Sequence, residues 1–103
     1  MGIISVALES AHGKVLGKVE GKTFLLDHLL PSFGDEGSQC LRFIDAYGDT
    51  IFNRLQMDQF LKEWEGVAIR ATTEEEKALV VQVRQLAEMC RSEPHRYLKF
   101  YGD

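Results

Sequence analysis

The spacing of apolar residues along this chain changes period several times, and each change predicts an element. From Ile3 to Glu9 the pattern alternates, with Ile4, Val6 and Leu8 on one side and Ser5 and Glu9 on the other. A period of two is the pattern of a half-buried strand. Ser10-Ala11-His12-Gly13 supplies a turn, with Gly13 free to take positive φ. Val15 to Glu20 reads as a second strand able to pair with the first as a hairpin. Lys22 to Leu26, after the turn at Glu20-Gly21, predicts a third. His28-Leu29-Leu30 before Pro31 fits the end of a strand and a single helical turn equally well. Pro31 to Gln39 is rich in Ser, Gly, Asp and Glu and predicts a loop, too short for a domain linker.

Cys40 to Asn53 predicts strand, tight turn and strand, with Gly48 in the turn. Met57, Phe60, Leu61 and Trp64 then recur at helical spacing, so a short helix is expected over Met57 to Glu65, ended by Gly66. Thr72 to Cys90 carries the clearest helical pattern. Thr72 with Glu75, or Thr73 with Glu76, matches a capping box. Leu79, Val80, Val83, Leu86, Ala87 and Cys90 form one stripe, and the helix should stop at Glu93-Pro94. Arg96 to Tyr101 predicts a last strand, with Leu98 and Phe100 inward and Tyr97, Lys99 and Tyr101 on the opposite face.

Strands, then two helices, then one strand predict a single α+β domain over residues 1–103. Its expected architecture is two-layered, with a mainly antiparallel sheet of about five or six strands. Two helices from the C-terminal half would cover one face, and a last C-terminal strand would complete the sheet. The other face, bearing tyrosines, would remain open to water or a partner.

Composition narrows the function. With 12 basic and 16 acidic residues the net charge is −4. Nucleic-acid binding depends on clustered Lys and Arg, so no nucleic-acid partner is expected. No segment reaches the roughly 18 apolar residues of a membrane span, no signal peptide pattern is visible, and a cytoplasmic location is the expectation. Met1-Gly2 begins like a myristoylation signal, but Val6 stands where Ser or Thr is required. Cys40 and Cys90 sit among apolar residues and read as two reduced, buried thiols.

No catalytic motif is complete. Gly17-Lys18-Val19-Glu20-Gly21-Lys22-Thr23 resembles the end of a phosphate-binding loop, but only three residues separate the glycines, and Leu16 stands at the required first glycine. Asp45-Ala46-Tyr47-Gly48-Asp49 resembles the start of a calcium loop, yet Tyr47, Thr50 and Gln56 occupy positions that demand an oxygen ligand, glycine and glutamate. Turn capping accounts for both aspartates. No metal-ligand spacing is present, so neither a metal nor a cofactor is expected.

Two functional expectations follow. The first is a non-enzymatic interaction module that presents a sheet face or edge to a protein partner or to a second copy of itself, with Asp45, Tyr47, Asp49, Asn53, Tyr97 and Tyr101 as candidate contacts. Its net acidity would suit a basic partner. The second is a small enzyme or small-molecule binder with a pocket between sheet and helices, where Asp45, Asp49, Asn53 and His95 would lie at the mouth.

Overall fold

The computed structural model describes residues 2–103 and shows an α+β fold built on one antiparallel sheet of four strands. Met1, the first residue of the myristoylation-like start, lies outside the described residues. Strands β1 (Ile3–Ser10), β2 (Val15–Lys18), β3 (Asp49–Asn53) and β4 (Arg96–Gly102) are arranged in the order β2-β1-β4-β3. Helices α1 (Met57–Arg70) and α2 (Glu74–Ser92) lie between β3 and β4 in the chain.

The hairpin β1–β2 forms as its alternation predicts. One residue departs from the pattern. The β1–β4 register shifts between Ile3 and Ser5, so Ile3 turns inward at 1% exposure and Ile4 outward at 60%. A bulge re-aims side chains in this way by adding one residue to a period of two. Beyond it Val6 and Leu8 face the core, opposite Phe100 and Leu98 of β4.

Two expected strands do not form, which is why the sheet has four strands rather than five or six. Of the expected strand Lys22 to Leu26, Lys22 precedes and the rest begins a 3₁₀ helix over Thr23–Leu29. Thr23, Leu26 and Leu29 are its buried residues, and their spacing of three is the period of that helix. The ambiguity at His28-Leu29-Leu30 is thus resolved in favour of a helical end.

The first limb of the expected Cys40–Asn53 hairpin is the second correction. Leu41–Phe43 is a short 3₁₀ turn, and β3 pairs with β4. The cause lies on α1. The Glu63 carboxylate accepts the amides of Gln39, Cys40 and Leu41, at 2.9, 3.1 and 3.1 Å, and the Ser38 hydroxyl at 2.6 Å. Three consecutive amides converging on one carboxylate need a turn, because successive amides of a strand point in opposite directions.

Helix α1 runs past Gly66 to Arg70, longer than expected. Phe60, Trp64 and Val67 form one buried stripe, and packing Val67 outweighs the roughly 1 kcal/mol that glycine costs a helix. The Trp64 indole N–H donates to the Val80 carbonyl of α2 at 3.0 Å. Helix α2 starts at Thr73, whose hydroxyl accepts the Glu76 amide while Glu76 reaches back to the Thr73 amide, the reciprocal cap expected from sequence.

The core joins these helices to the sheet. Phe60 stacks on Trp64 at 5.4 Å and meets Phe52 of β3 at 5.3 Å and Phe100 of β4 at 6.0 Å. On β2, a Cβ at Gly17 would lie 2.7 Å from Leu86 of α2, so the hairpin approaches the helix as closely as a glycine permits.

Candidate functional site

The strand residues that do not enter this core make the candidate site. Strand alternation places Asp49, Ile51 and Asn53 opposite Phe52, Tyr97, Lys99 and Tyr101 opposite Leu98 and Phe100, and Ser5, Ala7 and Glu9 opposite Val6 and Leu8. In register these residues form cross-strand rows. Asp49 pairs with Tyr101 and Tyr101 with Ser5; Ile51 pairs with Lys99 and Lys99 with Ala7; Asn53 pairs with Tyr97 and Tyr97 with Glu9. Ile51 and Val15, on the two edge strands, are each more than half exposed.

A charged network crosses the middle of these rows. Glu9 accepts the Lys99 ammonium at 3.0 Å and the Tyr101 hydroxyl through a short hydrogen bond. Tyr101 is two rows from Glu9, so this bridge spans the row of Ala7. Both Ala7 and Glu9 are buried, although neither faces the core. The Tyr101 hydrogen bond holds the Glu9 carboxyl below its usual range, against the opposing effect of burial, with Lys99 assisting. The same bond, together with burial and the negative charges of Glu9 and Asp49, pushes the Tyr101 phenol up to about 12. Tyr101 therefore stays a neutral donor, unsuited to act as a base near neutral pH.

Of the six residues singled out from sequence, four share this face as cross-strand neighbours, Asp49 with Tyr101 and Asn53 with Tyr97. Asp45 and Tyr47 lie off the sheet, in the turn before β3, where the Asp45 carboxylate accepts the Tyr47 amide at 2.8 Å. The Asn53 side chain is engaged locally: it accepts the Leu55 amide at 2.9 Å and caps the 3₁₀ turn Arg54–Gln56. Asn53 and His95 line one shallow depression together with Tyr97. Asp49 and Asn53 point away from Phe52 and the helices, so the acids and the amide do not converge between sheet and helices.

Glu9 and Lys99 are the functional candidates that the sequence reading placed on the face but did not select. Their signal was present as polar residues at alternating positions of two predicted strands. What was missing was the pairing of β1 with β4, which brings residues 90 positions apart into contact.

The remaining titratable clusters serve the architecture. Burial would raise the Glu63 carboxyl, but hydrogen bonds from Ser38, Gln59, Leu41 and Gln39 hold it at about 2. The Thr72 and Thr73 amides hold Glu76 at about 2 against burial, with help from His28, whose Nε2 lies 2.7 Å away. Cys40 and Cys90 are free and buried, and burial pushes both thiols up, that of Cys40 further through the charge of Glu63. Among the described residues, no group of three or more His, Cys, Asp or Glu is placed to hold a metal ion, and no helix is long and apolar enough to cross a membrane.

Comparison with protein-family models, with curated proteins and with solved structures finds no match to this chain. The class is thus defined by the fold and the face alone: a small α+β domain with a four-stranded antiparallel sheet.

Proposed function

We propose that this chain is a non-enzymatic interaction module, a two-layer domain that offers the helix-free face of its sheet to a protein partner, a second copy of itself included. The observation that supports the reading is the state of the charges on that face. Docking strips water from charged groups, and a carboxylate left unpaired beneath a partner costs several kcal/mol. Glu9 is already shielded and already paired with Lys99 and Tyr101. Covering this network leaves little to desolvate. Around it, Val15, Ile51, Tyr97 and Tyr101 supply apolar area and aromatic rings with polar tips, the composition favoured in interfaces. Strand β2 is only four residues long, follows Lys14 and ends in Lys18, features that discourage strand addition at its edge. The face is therefore the surface proposed. Asp49 lies at its β3 edge, and the net charge of −4 favours a basic partner through steering and register.

Site-specific photocrosslinking in cells tests the reading. A photoreactive residue replaces Ile51 on the face or, as a control, Ile69, which is 83% exposed on α1. Adducts of defined mass at position 51 and not at 69 support it. Equal labelling at both positions, or no adduct at 51 combined with a strictly monomeric native mass spectrum at high concentration, removes it.

A further inference from the structure

Away from the sheet face, one arginine packs against aromatic rings rather than against a carboxylate. The Arg42 guanidinium packs against two aromatic rings, its carbon 5.5 Å from the Phe33 centroid and 4.8 Å from that of Phe43. The rings meet edge to face at 5.8 Å, and Phe33 is 70% exposed. Arg42 Nη1 donates to the Phe33 carbonyl at 3.4 Å, whereas Nε is buried without an acceptor. A buried donor left without an acceptor is costly, more so when it is charged. It is the sole buried side-chain nitrogen or oxygen among the described residues left in this state.

The acids nearby are engaged elsewhere. Asp27 accepts the Ile3 amide at 3.0 Å and Asp45 accepts the Tyr47 amide at 2.8 Å. Neither forms an ion pair with Arg42. Two depressions meet at the Phe33–Arg42 wall and share Ile44 and Ala46. One continues to Leu30 and Pro31, the other to Tyr47. The track runs over Ile44, Ala46 and the two rings, with Arg42 at its middle and Asp27, Ser32 and Asp45 as its other polar lining residues.

We infer that the Arg42 cleft is a carboxylate-recognition site for an extended segment of a partner protein, one with an acidic residue between apolar residues. This site is independent of the sheet-face reading. A guanidinium presents a planar fork matched to a carboxylate, and the flanking rings supply low-dielectric walls that strengthen the pair. A segment rotating Phe33 aside would give Nε its missing acceptor and lay its apolar side chains along the two arms. A dianionic phosphate fits less well, because the Asp27 and Asp45 carboxylates line the same track.

The probe is an acetylated, amidated tripeptide with glutamate between leucine and phenylalanine, titrated into the whole chain by NMR and calorimetry. Its glutamine counterpart, inorganic phosphate and acetate are the competitors and controls. The expected result is binding of the glutamate peptide with shifts at Phe33, Phe43 and Ile44, weakened about tenfold or more by the glutamine replacement and by Arg42→Gln. Arg84→Gln, on α2, leaves it unchanged, and a thermal melt confirms that Arg42→Gln is folded. Acetate should compete better than phosphate. Equal binding of the two peptides, equal loss in both arginine variants, stronger competition by phosphate, or no binding at millimolar peptide each overturns the assignment.

Discussion

Tyr101 donates its phenolic proton to Glu9 across two rows of the sheet, and each residue displaces the ionisation of the other in the opposite direction. The chain has three tyrosines, so this coupling is open to spectroscopic test. One tyrosinate transition should lie near pH 12 and vanish in Tyr101→Phe. The folded pKa lies above the ordinary value of 10, so the bond's contribution is complete below pH 10 and is lost as pH rises towards about 12. A titration in which all tyrosines ionise near 10 would refute the coupling.

Glu63 contributes to the acid limb alongside Glu76. Its folded carboxyl sits at about 2 against an ordinary 4.5, so the stability it contributes is present above about pH 4.5 and lost as pH falls towards 2. Glu63→Gln should flatten the acid dependence of the melting temperature. Glu63→Ala should cost about 3 kcal/mol, since it strands several amides at once. Hydrogen exchange at Gln39, Cys40 and Leu41 should accelerate more than exchange in β1; equal acceleration would mean that the carboxylate does not hold that turn.

Two glycines should respond oppositely to alanine. A Cβ at Gly102 would lie 2.5 Å from the Ala46 backbone, whereas at Gly66 nothing stands within 4 Å. Gly66→Ala should raise stability by about 0.5–1 kcal/mol, and Gly102→Ala should lower it by more than that. Denaturant midpoints measured side by side decide the matter, and the same sign for both variants would contradict the packing described.

Trp64 is the single tryptophan and is fully buried, with its N–H on Val80 of α2. Trp64→Phe should cost about 2 kcal/mol through the cavity and the lost hydrogen bond to Val80, whose carbonyl keeps its intrahelical partner. The wild-type emission should be blue-shifted and should redden in one step with helix loss; an emission maximum typical of water in the folded protein would disagree with this placement.

The strongest periodicities in the sequence were sufficient for β1, β2, α2 with its Thr73 cap, and β4. Failures arose where a distant group overrode a local pattern. Leu41–Phe43 reads as strand until the Glu63 carboxylate gathers its amides, and nothing in the segment announces that acceptor. Gly66 reads as a helix stop until Val67 is seen to extend the Phe60–Trp64 stripe. The 3₁₀ helix at Thr23–Leu29 was legible, since Thr23, Leu26 and Leu29 already carry its period, but a run of apolar residues masked it. At the candidate site the tyrosines and Asp49 were visible as alternating residues, while Glu9 and Lys99 gained meaning only once β1 met β4. Arg42 gave no signal, because its importance lies in a partner it lacks.

The order β2-β1-β4-β3 sets a condition on assembly. Strand β4 lies between β1 and β3, which do not pair with each other, and of the four strands it is the last to be synthesised. Until it arrives, the nascent chain holds a two-stranded ribbon and an unpartnered β3, each marginal alone. Closing the sheet joins Ser5 to Tyr101, so all the intervening chain must be looped before the central pairing forms. Closure of the sheet on the ribosome therefore waits for β4, and force-sensing arrest measurements should register no compaction of the full sheet before β4 has cleared the exit tunnel.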